Sequence, residues 1–166
     1  SFTKVGVSVT VATSFAKIDI QAGSDITARD FTAHASSTTF VSASPPASVG
    51  FLNLFGPTLG LSITDARVNY GGTLTASGNA TIRATTDQSV DVVSDSKGFK
   101  GLAGALAINV IVSDANAIVT DTATLNIGGN LYVQADTLTG PRTLAPSSAG
   151  KDGSLAVALA VAVADG

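Results

Sequence analysis

Cysteine, methionine and tryptophan are absent from this chain, and only 5 % of its 166 residues are aromatic. Without cysteine there is no disulfide framework and no thiolate metal site, and the lack suits an exported protein, where unpaired thiols are a liability. With so few rings, a core has to be built from Val, Ile, Leu and Ala, in thin layers with close backbone approach. Charge is scarce as well. Asp, Glu, Lys and Arg together make up 13 %, about half the quarter usual in a soluble domain. The net charge is −3, with no block of like charge and no basic stripe interleaved with aromatics, so nothing electrostatic points to nucleic acid. Thr, Ser, Asn and Gly fill the polar positions. That profile belongs to a β-rich extracellular or surface protein rather than to a charged cytosolic enzyme.

Long apolar runs are missing too. The longest, Leu155 to Ala164, is about half the roughly twenty residues a membrane-spanning helix needs. It also alternates strictly, with Leu155, Val157, Leu159, Val161 and Val163 on one side and small residues on the other, which is the period of a strand. The chain opens on Ser1 with no basic segment before an apolar stretch. It therefore reads as a processed chain or an excised fragment, its targeting signal outside it.

What the chain does contain is repetition. A run alternating large apolar with small residues occurs at Val5–Val11, Leu59–Thr64 and Leu106–Val110, and begins a fourth time at Val157–Val163. Asp65, Asp114 and Asp165 close the later copies at steps of 49 and 51 residues; the first copy has Phe15 at that place. A fixed period of this size marks a stacked architecture whose units bury one another's faces. After the first run of each copy comes a second strand-like piece (16–20, 66–70, 116–119) and then a third, Asp25–Ala28, Thr73–Ala76 and Thr124–Ile127. A turn follows, Arg29-Asp30, Ser77-Gly78-Asn79 or Gly128-Gly129-Asn130, and each unit ends on a strand at 31–35, 80–84 and 131–135. Short strands between Gly, Asn and Asp turns, with no sustained helical spacing, predict an all-β fold. Positive φ is the expected reason for Gly and Asn in those turns. The large residues of each first strand are expected to face a core, leaving the small face against another layer or on a narrow solvated edge.

The copies cover about 5–35, 59–85 and 106–137, with a fourth starting at 155–166, in a single repeat-built domain. Residues 36–58, 86–103 and 138–153 read as excursions looping out of the repeat, where recognition usually resides. The first holds Pro45-Pro46 and Phe40, Phe51 and Phe55, read as caps on a groove or exposed edge, or as a small satellite core.

Few residues are candidates for chemistry. Asp87, Asp91 and Asp95, spaced by four, fall on one side of a strand, though the spacing also suits a helix face. Mutually repelling carboxylates bind Ca²⁺ or hold a proton at raised pH; the plainer reading is a solvated edge beside Lys97 and Lys100. Asp65, Asp114 and Asp165 should stack in a column at a coil corner, either taking calcium or, as favoured here, capping turns through backbone N–H groups. His34, the only histidine, sits where the other copies have Arg83 and Gln134, an outward polar position with no partner for a triad. A three-histidine zinc site is therefore ruled out. There is no phosphate loop, dinucleotide fingerprint, nucleophile elbow or glycine-rich calcium nonapeptide. The Thr-x-Thr pairs Thr73/Thr75, Thr122/Thr124 and Thr137/Thr139 fall at different points of the repeat and should not align into an ice-binding column. No catalytic and no cofactor-binding residue is assigned, calcium being the one metal the acids leave open.

The segment Thr124–Ala135, TLNIGGNLYVQA, resembles repeats of large bacterial secreted surface proteins of the filamentous-haemagglutinin type. The run Leu155–Val163 is similar to a recurring phrase of giant repeat adhesins. The resemblance covers most of the chain outside the excursions. It implies a right-handed parallel β-solenoid projecting from the cell surface; a β-sandwich with an exposed terminal strand is the alternative fold. Haemagglutinin-type repeats are often shorter, so a period near fifty reads as two coils of about twenty-five each. The implied function is a structural and adhesive segment of an exported, biofilm-type surface protein. It would form a rigid rod, contact neighbouring repeats or copies of itself through terminal strands, and present loops to a glycan or cell-surface ligand. Two other classes stay open. One is an extracellular filament subunit donating Leu155–Ala164 or Val5–Val11 to a neighbour's sheet. The other is a polysaccharide-active β-helix enzyme in which the excursion acids, Asp91 among them, converge in a groove.

Overall fold

The computed structural model of the chain describes residues 7–44, 53–94, 96–98, 102–145, 147–149 and 155–165, with side chains over 7–44, 57–94 and 105–145 and at Leu159. These residues form twelve strands and no helix: β1 (Ser8–Ile20), β2 (Asp25–Ala28), β3 (Phe31–Ala43), β4 (Asn53–Tyr70), β5 (Thr73–Ala76), β6 (Ala80–Val93), β7 (Ser96–Gly98), β8 (Leu102–Val119), β9 (Thr124–Ile127), β10 (Leu131–Leu144), β11 (Ser147–Ala149) and β12 (Leu155–Asp165). No helix of the described residues is long and apolar enough to cross a membrane.

Each strand pairs with its counterpart in the next copy, and every described pairing is parallel. The sheets are β1-β4-β8-β12, β2-β5-β9, β3-β6-β10 and β7-β11. Parallel neighbours need a long crossover, and here the rest of the coil supplies it. Thr64 and Ser113, 49 residues apart, sit on adjacent strands. One turn of the stack is thus a whole fifty-residue copy, which corrects the expectation of two coils of twenty-five.

Two further expectations change. The first and second strand-like pieces are one strand, because residues 12–15 continue the alternation of β1 without a turn. Much of the segments read as excursions is also strand: β3 runs on to Ala43, β6 to Val93 and β10 to Leu144. Ser37 and Thr39 broke the apolar pattern in the sequence, yet both are buried and hydrogen-bonded, Ser37 Oγ to the Ser14 carbonyl at 2.9 Å and Thr39 Oγ1 with Ser62 Oγ at 2.6 Å. A buried hydroxyl with a partner costs far less than one without.

The core lies between the sheets β1-β4-β8-β12 and β3-β6-β10. At the end nearer the short sheet β2-β5-β9 it is apolar, with Val68, Tyr70, Leu74 and Ile82 buried among alanines, and Phe31 meeting the Tyr70 ring edge-on at 5.6 Å. Burial holds the Tyr70 hydroxyl above its ordinary pKa, with Asp25 adding to the effect. At the other end Val41, Val90, Val92 and Ile111 form a second apolar cluster. Between them runs a belt of buried hydroxyls and one amide: Thr86 meets Ser113 at 2.6 Å, and Gln88 donates to Thr64 Oγ1 and to the Val112 carbonyl.

The corners are sites of close approach. Among the described glycines only Gly23, in the turn closed by Ser24 N–H to the Gln21 carbonyl, has positive φ, at 88°. Gly128 and Gly129 have another reason: a Cβ there would lie 2.5 Å from the Ser77 carbonyl oxygen and 2.5 Å from Asn79 Oδ1 of the preceding copy. Beside them Asp30 Oδ1 accepts the Asn79 N–H and Asn79 Oδ1 accepts the Asn130 N–H, each at 2.9 Å. The Gly-Asn signal belongs to the stacking of coils.

Candidate functional site

Alternation puts every second residue of the long strands outside, and the direction is the reverse of the one expected. At the start of β1 Val9 and Val11 are exposed, at 58 and 57 %, as is Val7 just before it, at 62 %; Ser8, Thr10 and Ala12 turn inward. In β4 Gly60, Ser62 and Thr64 are buried, while Leu59, Leu61 and Ile63 are half-buried on the outside. Val9, Leu59 and Ile108 are paired in register, as are Val11, Leu61 and Val110. The large face points out because the two long sheets are too close for it. A Cβ on Gly60 would clash with Val92 Cγ2 of the facing sheet.

Further along the same outer face the character changes. Arg67 donates through Nε to Asp65 at 2.8 Å and through a terminal nitrogen to Asp114 at 3.0 Å. Asn116 donates to the other Asp114 oxygen at 2.6 Å. Hydrogen bonding and charge from Asp65, then the charge of Asp114, raise the Arg67 pKa above its ordinary value. Asp65 and Asp114 are register partners, with Phe15 in the same row. The predicted column fails at Asp165, which pairs with Val112, two positions short, because β12 starts out of step with the earlier copies. Nor do these acids cap a corner: Asp65 and Asp114 lie within β4 and β8, and one guanidinium bridges both. Phe15, 68 % exposed, shares a shallow depression with Lys17, Asp65, Arg67 and Asn69.

The outer face of β3-β6-β10 is mixed. His34, Arg83 and Gln134 form one row across it. His34 Nε2 lies 3.1 Å from Thr85 Oγ1, and Arg83 makes two bonds, of 3.0 and 2.8 Å, to Asp136 Oδ2. Gln134 donates to the other Asp136 oxygen. Asp87 and Asp91 share the outer face of β6, as their spacing requires, and Arg142 binds Asp91 at 3.1 Å. Asp95, Lys100, Phe51 and the side chains of Lys97 and Phe55 lie outside what the structure describes. Among the described residues no three of His, Cys, Asp and Glu come together. Thr73 pairs with Thr124, but Thr75 meets Asn126 and the Thr137/Thr139 pair meets Thr86 and Gln88, so no threonine column forms. Phe40 stands alone on the outer face, 70 % exposed.

No family model, curated protein or solved structure matches the chain. What can be said of function therefore rests on these faces. Two outer surfaces face solvent: one apolar over half its length and charge-paired over the rest, the other polar with isolated aromatic and aliphatic side chains. The sequence reading missed the apolar one, although a signal for it was present. Lys17 and Asp19 are in phase with Val9 and Val11, and Asp65 and Arg67 with Leu61 and Ile63. The charged residues thus mark the solvent side of each strand once it is read as continuous.

Proposed function

We propose that this chain is a structural and adhesive segment of a large exported bacterial surface protein, a rod built as a right-handed parallel β-solenoid with one fifty-residue coil per turn. The observation that carries the reading is the contrast between frame and face. The in-register pairing of the strands and the Asp30, Asn79, Asn130 corner ladder repeat from copy to copy, whereas the outer row His34, Arg83, Gln134 changes its chemistry at each step. A regular frame with varied outer positions suits a scaffold that presents binding surface. It carries no catalytic step. Backbone ladders running along the stack supply the stiffness, and the outer faces supply attachment to a glycan or cell-surface ligand.

The test is scattering from solutions of the 166-residue chain and of a chain carrying the same residues twice in phase. Doubling adds three coils, so a rod should lengthen by about 15 Å, roughly 4.8 Å for each, at constant cross-section. Growth in all directions would overturn the rod. Display of the chain on a non-adherent bacterium tests the adhesive half: attachment to other cells or to coated surfaces should rise, and no increase removes that part.

A second reading, the filament subunit, is favoured by one observation. Among the described residues β10 pairs only with β6, and its inward residues Leu131 and Val133 remain 43 and 46 % exposed. It requires stable fibres at low concentration that disappear on deletion of 154–166.

A further inference from the structure

Between the second and third copies the pairing keeps an even step. Thr73 meets Thr124, Ala80 meets Leu131 and Ser96 meets Ser147, 51 residues on each time. The next pairing breaks it: Leu102 meets Leu155, 53 residues on. Three residues separate β7 from β8, whereas five separate β11 from β12. β12 thus joins its ladder two residues late, and Asp165 falls beside Val112 instead of Asp114.

The sequence of β12 does not hold it there. Residues 155–164 alternate Leu or Val with Ala. A slide of two residues, about 6.6 Å, keeps every residue on the side of the sheet it already occupies. Apolar rows survive the slide as well: Leu159 would leave Leu106 for Ile108, and Val161 would leave Ile108 for Val110.

Two effects oppose each other. The slide restores the step of 51 and removes the surplus of two residues between β11 and β12. It also sets Asp165 beside Asp114, whose partner on the other side is Asp65. Arg67 already bonds both Asp65 and Asp114, and Asn116 bonds the remaining Asp114 oxygen. Lys17, the other cation of this face, lies on β1 and pairs with Asp19 at 3.2 Å. A third carboxylate would therefore meet a like charge with no cation to spare, and like charges directly opposite destabilise a sheet.

We propose that β12 has a second register on β8, two residues further along, and that the charge of Asp165 holds the strand out of it. Screening or neutralising that charge slides the strand, so the last strand of the sheet responds to ionic conditions. In the second register the acid row runs Asp65, Asp114, Asp165, in step with the repeat. The proposal goes beyond the rod reading, which holds in either register.

Cysteine pairs read the register in a chain that has no cysteine of its own. Leu159→Cys with Leu106→Cys joins partners of the register described, and Leu159→Cys with Ile108→Cys joins partners of the second. In each register the mismatched pair stands about 8 Å apart between Cα atoms, beyond the roughly 7 Å a disulfide spans. Initial rates of mild oxidation at low salt should favour the Leu106 pair. In Asp165→Asn at low salt the ratio of rates should move at least about twofold toward the Ile108 pair. The same shift is expected with the native acid in about 1 M NaCl, where the screening length falls to about 3 Å. Asp87→Asn, on the other long sheet, should leave the ratio unchanged. Should a cysteine pair not fold, Asp165→Asn alone answers by amide exchange. β12 would then cover β8 as far as Asp114 rather than Val112, and exchange over Ser113 and Asp114 should slow. An unchanged ratio in Asp165→Asn, an Ile108 pair that already dominates at low salt, or unchanged exchange over Ser113 and Asp114 overturns the proposal. So does a shift that Asp87→Asn reproduces, since net charge and not the acid row would then be its cause.

Discussion

At Gly60 a Cβ would clash with Val92 Cγ2 and stand 3.3 Å from Val90 Cγ1, both on the sheet opposite. Two effects compete on Gly60→Ala. Alanine restricts the unfolded chain and stabilises by about 0.4–1 kcal/mol where the native backbone accepts it. Overpacking a filled core costs about 1–3 kcal/mol. The clash is with a side chain wholly buried in its own cluster, so overpacking should win and the urea midpoint should fall. Adding Val92→Ala removes the obstructing atom and should recover part of the loss. A Gly60→Ala chain as stable as the wild type would mean that the sheets relax apart, and with them the reason for the outward-facing leucines and valines.

The strand is the scale at which sequence and structure part company. The four-residue strands Asp25–Ala28, Thr73–Ala76 and Thr124–Ile127 were readable to the residue, because turn residues bracket them on both sides. The long strands were not. A run such as Val9 to Val11 looks like a core face when judged alone. Only its phase with Lys17 and Asp19, six or more residues on, shows that it is the outer one. Hydroxyls at Ser37, Thr39 and Thr86 hid the length of β3 and β6 in the same way, since their partners come from strands 23 to 27 residues away in the chain. Of the candidate acids, the column of Asp65 and Asp114 was legible from the period; its bridging by Arg67 was not, because that depends on which way a long side chain leans. Stacked carboxylates directly opposite one another destabilise a sheet, so Arg67→Leu should lower the melting temperature. The loss should shrink in high salt, which screens the exposed pair, and should largely vanish in Arg67→Leu/Asp114→Asn. An Arg67→Leu chain that melts as the wild type does at low salt would show that the guanidinium bridge contributes nothing.

Across the molecule, burial follows position in the stack. The second coil is covered on both sides, and Val68, Tyr70, Leu74, Ile82 and Val90 are all fully buried. The equivalent inward positions of the third coil are open: Leu131 pairs with Ala80 and Val133 with Ile82, yet both remain exposed. In a stack whose units touch only their neighbours, stability is approximately a sum of terms for each coil and each interface. A coil with two interfaces is then held more firmly than one with a single interface, and opening proceeds inward from the less covered side. Amide hydrogen exchange reads this directly. Protection should be highest in β4 and β6, intermediate in β1 and β3, and lowest in β10, even though β6 and β10 make the same kind of parallel ladder in register. Uniform protection over the three coils would instead mean that the stack opens as one cooperative block, and the corner ladder from Asp30 through Asn79 to Asn130 would then be the first place to look for the coupling.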